Sequence, residues 1–291
     1  MVNQKLIFEV IPPIKTASES YISKLIGRIV DAVNKIKQIN IINIPEIVDE
    51  NHVGKPYYRN VDTRKFGAIL RDKCKKDMIV NTVVVHHEPK NRFEEWLEES
   101  INDYGIKNYV FVGAKINTIN YPGPSIAEAN SIARKKGINF GNIFIPNREN
   151  EAERLINKTL HGCNFFTSQV LFEADSAIDV LKEYIQKCDE RNINPSRVYL
   201  SFAPLSSVED IHFIKWLGAE ISEKTEKKLK NRDIEYIGSA SINHIKEVAQ
   251  KIFNGSFNKK LSLGLNIEYV MLHNLELSKE LISGLLDLKL S

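Results

Sequence analysis

Short runs of apolar and β-branched residues alternate with longer amphipathic stretches along the whole chain. The apolar runs cover residues 5–11, 39–44, 78–85, 108–113, 138–145, 164–172, 198–202 and 265–272. Apolar side chains at helical spacing cover residues 18–36, 63–75, 92–104, 125–136, 149–161 and 174–191. The short runs predict strands, and the stretches between them predict helices. A strand followed by a helix, repeated in this order, indicates a parallel sheet.

The number of strand–helix units favours one fold. Eight units in a chain of 291 residues predict a closed (β/α)8 TIM barrel that forms a single domain over residues 1–291. Before the last strand the pattern changes, because helical segments at 208–217, 220–231 and 239–253 follow one another. An open, doubly wound sheet is the main alternative. No internal repeat or low-complexity linker divides the sequence.

Composition narrows the class of protein. Hydrophobic residues make up 43% of the chain and charged residues 26%, as in ordinary globular proteins. The net charge of +3 is small and basic residues are interleaved with acidic ones, so we expect no nucleic-acid partner. No apolar run approaches the ~20 residues that cross a bilayer, and the N-terminus lacks a signal-peptide layout. Three cysteines without metal-ligand spacing indicate reduced thiols in a cytoplasmic protein with no membrane partner.

The first strand carries the strongest chemical signal. In Phe8-Glu9-Val10-Ile11-Pro12-Pro13, a carboxylate lies at the end of an apolar run that two prolines stop. Strand side chains alternate, so Glu9 points to the same side as Ile7 and Ile11, where burial is expected to raise the pKa of its carboxyl. Because proline cannot continue the ladder, Glu9 lies at the edge where parallel α/β proteins carry out their chemistry. A half-exposed Glu paired with a Lys is the alternative interpretation.

Two histidines end the third strand, in His86-His87-Glu88-Pro89. Adjacent strand residues point to opposite faces, so only one of the two is expected to face the barrel interior. A neutral histidine there would hydrogen-bond a ring-shaped substrate, and a histidine satisfied by a loop carbonyl is an equally good interpretation. Metal sites need several converging ligands, and none are evident near this pair, so we expect no metal.

Polar residues also break the apolar run of residues 164–172 near its end, in Phe165-Phe166-Thr167-Ser168-Gln169. The primary amide of Gln169 both donates and accepts hydrogen bonds, which suits the edge of a pterin-like heterocycle. A buried amide without a partner costs about 1–3 kcal/mol, so the residue needs a reason to be there. A structural bond to a neighbouring loop is the alternative.

Taken in order, these motifs resemble those of methylenetetrahydrofolate reductases across essentially the whole chain. The opening motif resembles that family's first strand, Phe-Glu-Phe-Phe-Pro-Pro, whose Glu is the catalytic acid and falls on Glu9. The Gln of the family's Ile-Thr-Gln strand ending contacts the folate and falls on Gln169. The segments at 201–204 and 267–274 resemble the seventh and eighth strands. The resemblance implies a (β/α)8 barrel, in agreement with the strand count.

The sequence departs from this family mainly where the family binds flavin. The fourth strand typically ends in Arg-Gly-Asp, and Val112-Gly113-Ala114 keeps only the glycine. The family's Tyr and His in the fifth-strand loop fall on Ile145 and Glu149. Lys158, which in the family approaches the flavin phosphates, is retained.

Two arginines on predicted mouth loops, Arg59 and Arg148, complete the candidate cofactor-binding set with Gly113 and Lys158. Each would meet cofactor phosphates or a glutamate tail, and solvated loop charge is the alternative for either one. The departures argue against FAD held in the usual way and favour direct use of NAD(P)H.

The resemblance implies reduction of 5,10-methylenetetrahydrofolate, or a related tetrahydropterin, to its 5-methyl form with hydride from NAD(P)H. Glu9 would be the general acid, and Gln169, His86 and His87 would bind the substrate. A second class of function stays open: a non-redox pterin-binding barrel that acts as a carrier or partner subunit in methyl transfer. Whether the chain forms a homo-oligomer is also left open.

Overall fold

The computed structural model describes residues 5–89, 91–116, 118–230 and 237–288. Eight parallel strands close into a barrel in the hydrogen-bonded order β1-β10-β9-β8-β7-β6-β5-β2. These strands are β1 (Leu6–Val10), β2 (Ile39–Ile44), β5 (Asp77–Val83), β6 (Asn108–Val112), β7 (Asn139–Phe144), β8 (Phe165–Val170), β9 (Arg197–Phe202) and β10 (Leu263–Tyr269). The predicted (β/α)8 barrel is confirmed, and the open doubly wound sheet is excluded.

The helices follow the strands in the expected alternation. They are α1 (Glu19–Lys35), α2 (Thr63–Cys74), α3 (Asn91–Asn102), α4 (Ile126–Lys135), α5 (Glu151–Leu160), α6 (Asp175–Glu190), α7 (Val208–Trp216), α8 (Glu223–Lys230), α9 (Ile237–Phe253) and α10 (Leu275–Asp287). Asn231, the predicted end of α8, lies outside the described residues. Within the described part of the chain, no helix has both the length and the apolar character that crossing a membrane requires.

Two strands and one helix of the described residues were not predicted. The strands β3 (Asp49–Glu50) and β4 (Pro56–Tyr57) form an antiparallel hairpin, and two residues are too few to show a periodic pattern. The helix α10 buries Leu275, Leu281, Ile282 and Leu285. Their helical spacing is the sequence signal for this helix.

The chain packs as two compact units. The N-terminal unit comprises Ile7–Ile143 and Leu160–Asn164, and the C-terminal unit comprises Met1–Leu6, Phe144–Thr159 and Phe165–Ser291. The single-domain organisation over residues 1–291 stays a prediction.

Capping side chains fix where helices of the N-terminal unit begin. Asp62 accepts hydrogen bonds from the backbone N–H groups of Arg64 and Lys65 at the start of α2. At α4, Ser125 and Glu128 form a reciprocal capping box. Each cap satisfies N–H groups that lack an intrahelical acceptor, so the helices begin directly after the loops that follow the strands.

Contacts with α2 assign the two faces of β2 and β5. A methyl group at Gly67 of α2 would lie 3.6 Å from both Ile44 on β2 and Val80 on β5. These two side chains therefore point towards the helix. Because strand side chains alternate, Asn43 and Asn81 point to the opposite face, which in a closed barrel is the interior.

The C-terminal unit contains three neighbouring parallel strands, β8, β9 and β10. A methyl group at Gly264 of β10 would lie 2.6 Å from the ring of Tyr199 on β9, so only glycine leaves room for this ring. The register of β8 against β9 shifts between Thr167 and Val170. This irregularity falls next to Gln169, at the carboxyl end of β8.

Candidate functional site

Glu9 lies near the carboxyl end of β1 and is only 9% exposed. Its Oε2 accepts a hydrogen bond from the Nδ2 of Asn43 on β2, at 2.5 Å. Asn43 is fully buried and faces away from α2. Glu9 therefore lies on the face of β1 and β2 that looks away from the helix, and not among the helices.

Two buried amide oxygens on the inner face of β2 and β5 lack partners. The Oδ1 atoms of Asn43 and Asn81 have no hydrogen-bond partner in the described part of the chain. Both residues are buried and lie on the same face of neighbouring parallel strands. An unsatisfied buried acceptor costs about 1–3 kcal/mol. The N-terminal unit therefore holds two amide oxygens that a group with N–H or O–H donors would satisfy, one of them on the side chain that bonds Glu9.

His86 does not belong to a strand, so the alternation argument for the two histidines was wrong. β5 ends at Val83, and a 3₁₀ turn spans Val84–His86. The His86 side chain is 1% exposed, and its Nε2 lies 2.9 Å from the Oε1 of Glu50. Burial lowers the pKa of His86, and the Glu50 carboxylate opposes that shift only in part.

His87 packs on the helix side of β5. Its Nε2 lies 3.0 Å from the Oγ1 of Thr82. Thr82 follows Val80 by two residues in the strand, so its side chain points to the same, helix-facing side. The ring makes edge contacts with Phe93 and Trp96 of α3. Burial, assisted by the positive charge of Arg64, lowers the pKa of His87 to about 4. Its predicted contact with a substrate stays a prediction.

Glu46 is a second partly buried carboxyl that the sequence analysis missed. It follows Pro45 at the end of β2, and its Oε2 accepts a hydrogen bond from the backbone N–H of Val83 at 2.7 Å. Desolvation raises the pKa of Glu46 to about 7, although this bond and the Thr82 hydroxyl favour the charged form. The sequence does contain a signal for Glu46, because the residue directly follows a proline that ends an apolar run. The prolines that mark Glu9 lie three and four residues after it.

Gln169, at the end of β8 in the C-terminal unit, is engaged with a loop. Its Nε2 donates a hydrogen bond to the carbonyl oxygen of Leu217 at 2.8 Å. The next residue, Gly218, has a φ of +96°, and a methyl group there would lie 3.4 Å from the same Nε2. The amide thus holds the connection between α7 and α8 in place. Its predicted role in pterin binding stays a prediction.

A polar cluster in the C-terminal unit was also missed. Asn266 on β10 is fully buried, and its Nδ2 donates to the Oγ of Ser201 on β9 at 2.9 Å. The same Nδ2 lies 3.4 Å from the Oε1 of Glu268. Sequence alone gave no signal, since Ser201 and Asn266 are 65 residues apart.

The candidate cofactor-binding cations are already paired. Arg148 contacts the fully buried carboxylate of Glu151 through Nε at 2.7 Å and a terminal nitrogen at 2.6 Å. Lys158 lies 4.0 Å from the other oxygen of Glu151. In the N-terminal unit, the Nε of Arg59 lies 2.8 Å from Asp49.

Gly113, the fourth candidate residue, does not leave an open space for a phosphate group. A methyl group at Gly113 would lie 3.1 Å from Ile126 of α4, so a side chain already fills the space beside it. Because Glu151 compensates both Arg148 and Lys158, these two cations do not fit the diphosphate of a flavin. Their cofactor-binding role stays a prediction. The described residues also contain no cluster of three or more His, Cys, Asp or Glu side chains arranged to hold a metal ion.

Comparison with known proteins shows a likeness in structure. No protein-family profile matches the sequence. No curated protein is significantly similar to it in sequence. The fold is similar to that of an uncharacterized protein from Clostridium thermocellum that binds two copies of 5-methyl-5,6,7,8-tetrahydrofolic acid. The TM-score is 0.79 at 21% sequence identity, covering 96% of this chain and 93% of the other. This likeness establishes the shared fold.

Proposed function

We propose that the chain binds a reduced pterin through Asn43 and Asn81, beside Glu9. The observation that carries the proposal is the pair of unpartnered amide oxygens of Asn43 and Asn81, of which Asn43 is bonded to the buried carboxylate of Glu9. A reduced pterin carries several N–H donors on its ring edge, namely the 2-amino group and ring N–H groups. Amide oxygens accept such bonds, so an N–H group of the pterin would satisfy each of the two unpartnered oxygens.

Two independent lines support this ligand class. The structurally similar protein from Clostridium thermocellum binds 5-methyl-tetrahydrofolate. The sequence motifs around Glu9 and Gln169 resemble those of methylenetetrahydrofolate reductases.

Within this class, we propose reduction of the methylene bridge of a methylene-tetrahydropterin to a methyl group. The five-membered ring opens when one carbon–nitrogen bond breaks, and the departing nitrogen needs a proton. Glu9 supplies that proton, which leaves a carboxylate beside the iminium cation formed on opening. General acid assistance is typically worth about 10²–10⁴-fold, and the new carboxylate stabilises the cation electrostatically.

The second substrate is a nicotinamide, NADH or NADPH, which supplies the hydride that the iminium carbon accepts. The product is the 5-methyl form, and the nitrogen that left the five-membered ring keeps the proton from Glu9. No step uses FAD, because Arg148 and Lys158 are compensated by Glu151 and do not fit its phosphates.

The competing function is a pterin carrier or partner subunit in methyl transfer, without redox chemistry. The same charge compensation favours it, because a nicotinamide dinucleotide also carries a diphosphate that needs cations or N–H donors. The methylated ligand of the structurally similar protein agrees with either function.

Calorimetric titration with 5-methyl-tetrahydrofolate, followed by an optical assay with the methylene form and each nicotinamide, tests both levels of the proposal. Binding together with nicotinamide oxidation supports the reductase. Binding without oxidation supports the carrier. If tetrahydrofolate and tetrahydromethanopterin derivatives both fail to bind, the pterin proposal is wrong.

A further inference from the structure

Glu50 is the centre of a buried polar cluster outside the strands of the barrel. It lies on β3 of the short hairpin, and its side chain is 6% exposed. One carboxylate oxygen lies 2.9 Å from the Nε2 of His86, and the other accepts a hydrogen bond from the hydroxyl of Tyr121 at 2.7 Å. The ring centroids of Tyr121 and Tyr58 lie 5.7 and 6.4 Å from the ring centroid of His86. The histidine is therefore held from one side by charge and from others by aromatic rings.

This arrangement fixes which ring nitrogen of His86 carries the proton. A carboxylate oxygen only accepts hydrogen bonds, so the proton of the neutral ring is on Nε2. The other nitrogen, Nδ1, is then an acceptor. It is buried and has no hydrogen-bond partner among the described residues. The protein thus holds a third unpartnered acceptor in the N-terminal unit, on the turn that directly follows the strand of Asn81.

Resting on the proposed function, we propose that His86 binds the pterin through Nδ1 and that Glu50 is its positioning residue. The ligand group is an N–H donor, the same chemistry that Asn43 and Asn81 require. His87 is unsuited to this role, because its Nε2 contacts Thr82 and its ring packs against α3.

Two substitutions at position 86 separate ligand binding from structural support. The amide nitrogen of His86→Gln reaches the position of Nε2 and keeps the bond to Glu50, but it places no acceptor at Nδ1. The amide oxygen of His86→Asn lies at the position of Nδ1 and keeps the acceptor, but it loses the bond to Glu50. We expect His86→Gln to weaken binding of 5-methyl-tetrahydrofolate about tenfold, which corresponds to ~1.4 kcal/mol. His86→Asn is expected to bind 5-methyl-tetrahydrofolate more tightly than His86→Gln does. Because it loses the bond to Glu50, it is also expected to unfold at a lower denaturant concentration than His86→Gln.

A measurement on the unmutated protein does not depend on whether the variants fold. The ¹⁵N resonance of the His86 Nδ1 is expected to show an unprotonated nitrogen and to shift when 5-methyl-tetrahydrofolate is added. Glu50→Gln is expected to reduce the fraction of this tautomer and to weaken binding, without removing any group that touches the ligand.

Each outcome decides between the two levels of inference. If the wild-type protein binds no pterin, the proposed function fails and takes this role of His86 with it. If it binds and the Nδ1 resonance does not move, or His86→Gln binds as tightly as wild type, only the His86 assignment is wrong. A larger loss of binding in His86→Asn than in His86→Gln would show that the ring is structural.

Discussion

The side-chain amide of Gln169 donates its hydrogen bond to the carbonyl oxygen of Leu217, 48 residues further along the chain. This bond ties the end of β8 to the connection between α7 and α8. A second tie lies close by, because Glu173 accepts a hydrogen bond from the backbone N–H of Ser222 at 3.0 Å. The helices inserted between β9 and α9 are therefore anchored to the carboxyl end of β8.

The first prediction concerns this anchor. Gln169→Ala is expected to increase amide hydrogen exchange at residues 217–219, because the loop loses its tie to β8. Global stability should fall by only about 1 kcal/mol, the usual net value of one hydrogen bond. Exchange measured by mass spectrometry with and without the substitution checks both statements.

The matched control is Gln186→Ala, which removes an amide that bonds the exposed Glu190 on α6. Exchange at residues 217–219 should be unchanged there. Equal exchange in wild type and Gln169→Ala would mean that the bond does not hold the loop.

The second prediction concerns the pH dependence of stability. Glu46 has a pKa of about 7 in the folded chain against an ordinary value of 4.5. Between these values the folded chain keeps a proton that the unfolded chain releases, so the free energy of unfolding falls as the pH rises. A difference of ~2.5 pH units corresponds to at most about 3–4 kcal/mol.

His87 has the opposite effect in an overlapping window. Its pKa is about 4 in the folded chain against 6.5, so the unfolded chain binds a proton first and stability falls as the pH falls from 6.5 to 4. In the wild type the two slopes largely cancel between pH 4.5 and 6.5. We expect Glu46→Gln to expose the His87 slope, and to be more stable than wild type at pH 8.

Urea unfolding of both proteins across this pH range measures the difference. Glu190→Gln, an exposed carboxyl on α6, is the control and should follow the wild-type curve. A Glu46→Gln curve parallel to wild type at all pH values would contradict the assignment.

How much was predictable depends on whether a feature is local in sequence. The barrel followed from the alternation of apolar runs and amphipathic stretches, and the burial of Glu9 near a strand end followed from the apolar run that two prolines stop. Gln169 was singled out as a polar residue within an apolar run, but its bond to Leu217 joins distant segments that no local pattern connects.

Asn43 and Asn81 were missed for a different reason. Each lies within an apolar run, and only the register of β2 against β5 shows that they share the inner face. The pairing of His86 with Glu50 was also unpredictable, because it needs a 3₁₀ turn and a hairpin of two-residue strands.

The third prediction compares two buried asparagines, one with an unpartnered side-chain oxygen and one whose side chain is fully hydrogen-bonded. Asn81 has an unpartnered Oδ1, so Asn81→Leu is expected to leave stability unchanged or to raise it by about 1 kcal/mol. Pterin affinity should fall in the same variant, because an acceptor for the ligand is lost. Chemical unfolding and calorimetric titration measure the two effects.

Asn142 provides the control, because it exchanges hydrogen bonds with Asn130 at 2.8 and 3.2 Å and also donates to the carbonyl of Phe111. Asn142→Leu is expected to lose about 1–3 kcal/mol of stability and to bind pterin as wild type does. Destabilisation of Asn81→Leu to the same extent would show that Asn81 serves the fold and not a ligand.

The last prediction tests Glu9 as the acid. Glu9→Gln keeps an acceptor for the Nδ2 of Asn43, so the fold and the affinity for 5-methyl-tetrahydrofolate should change little. The amide cannot give a proton to the departing ring nitrogen, so turnover of the methylene substrate should fall by about 10²–10⁴-fold. Glu46→Gln, which alters the other carboxyl near these strand ends, should retain activity because Glu46 bonds the backbone of Val83. Turnover of Glu9→Gln near the wild-type rate would remove the acid assignment, whereas loss of binding would make Glu9 a ligand contact alone.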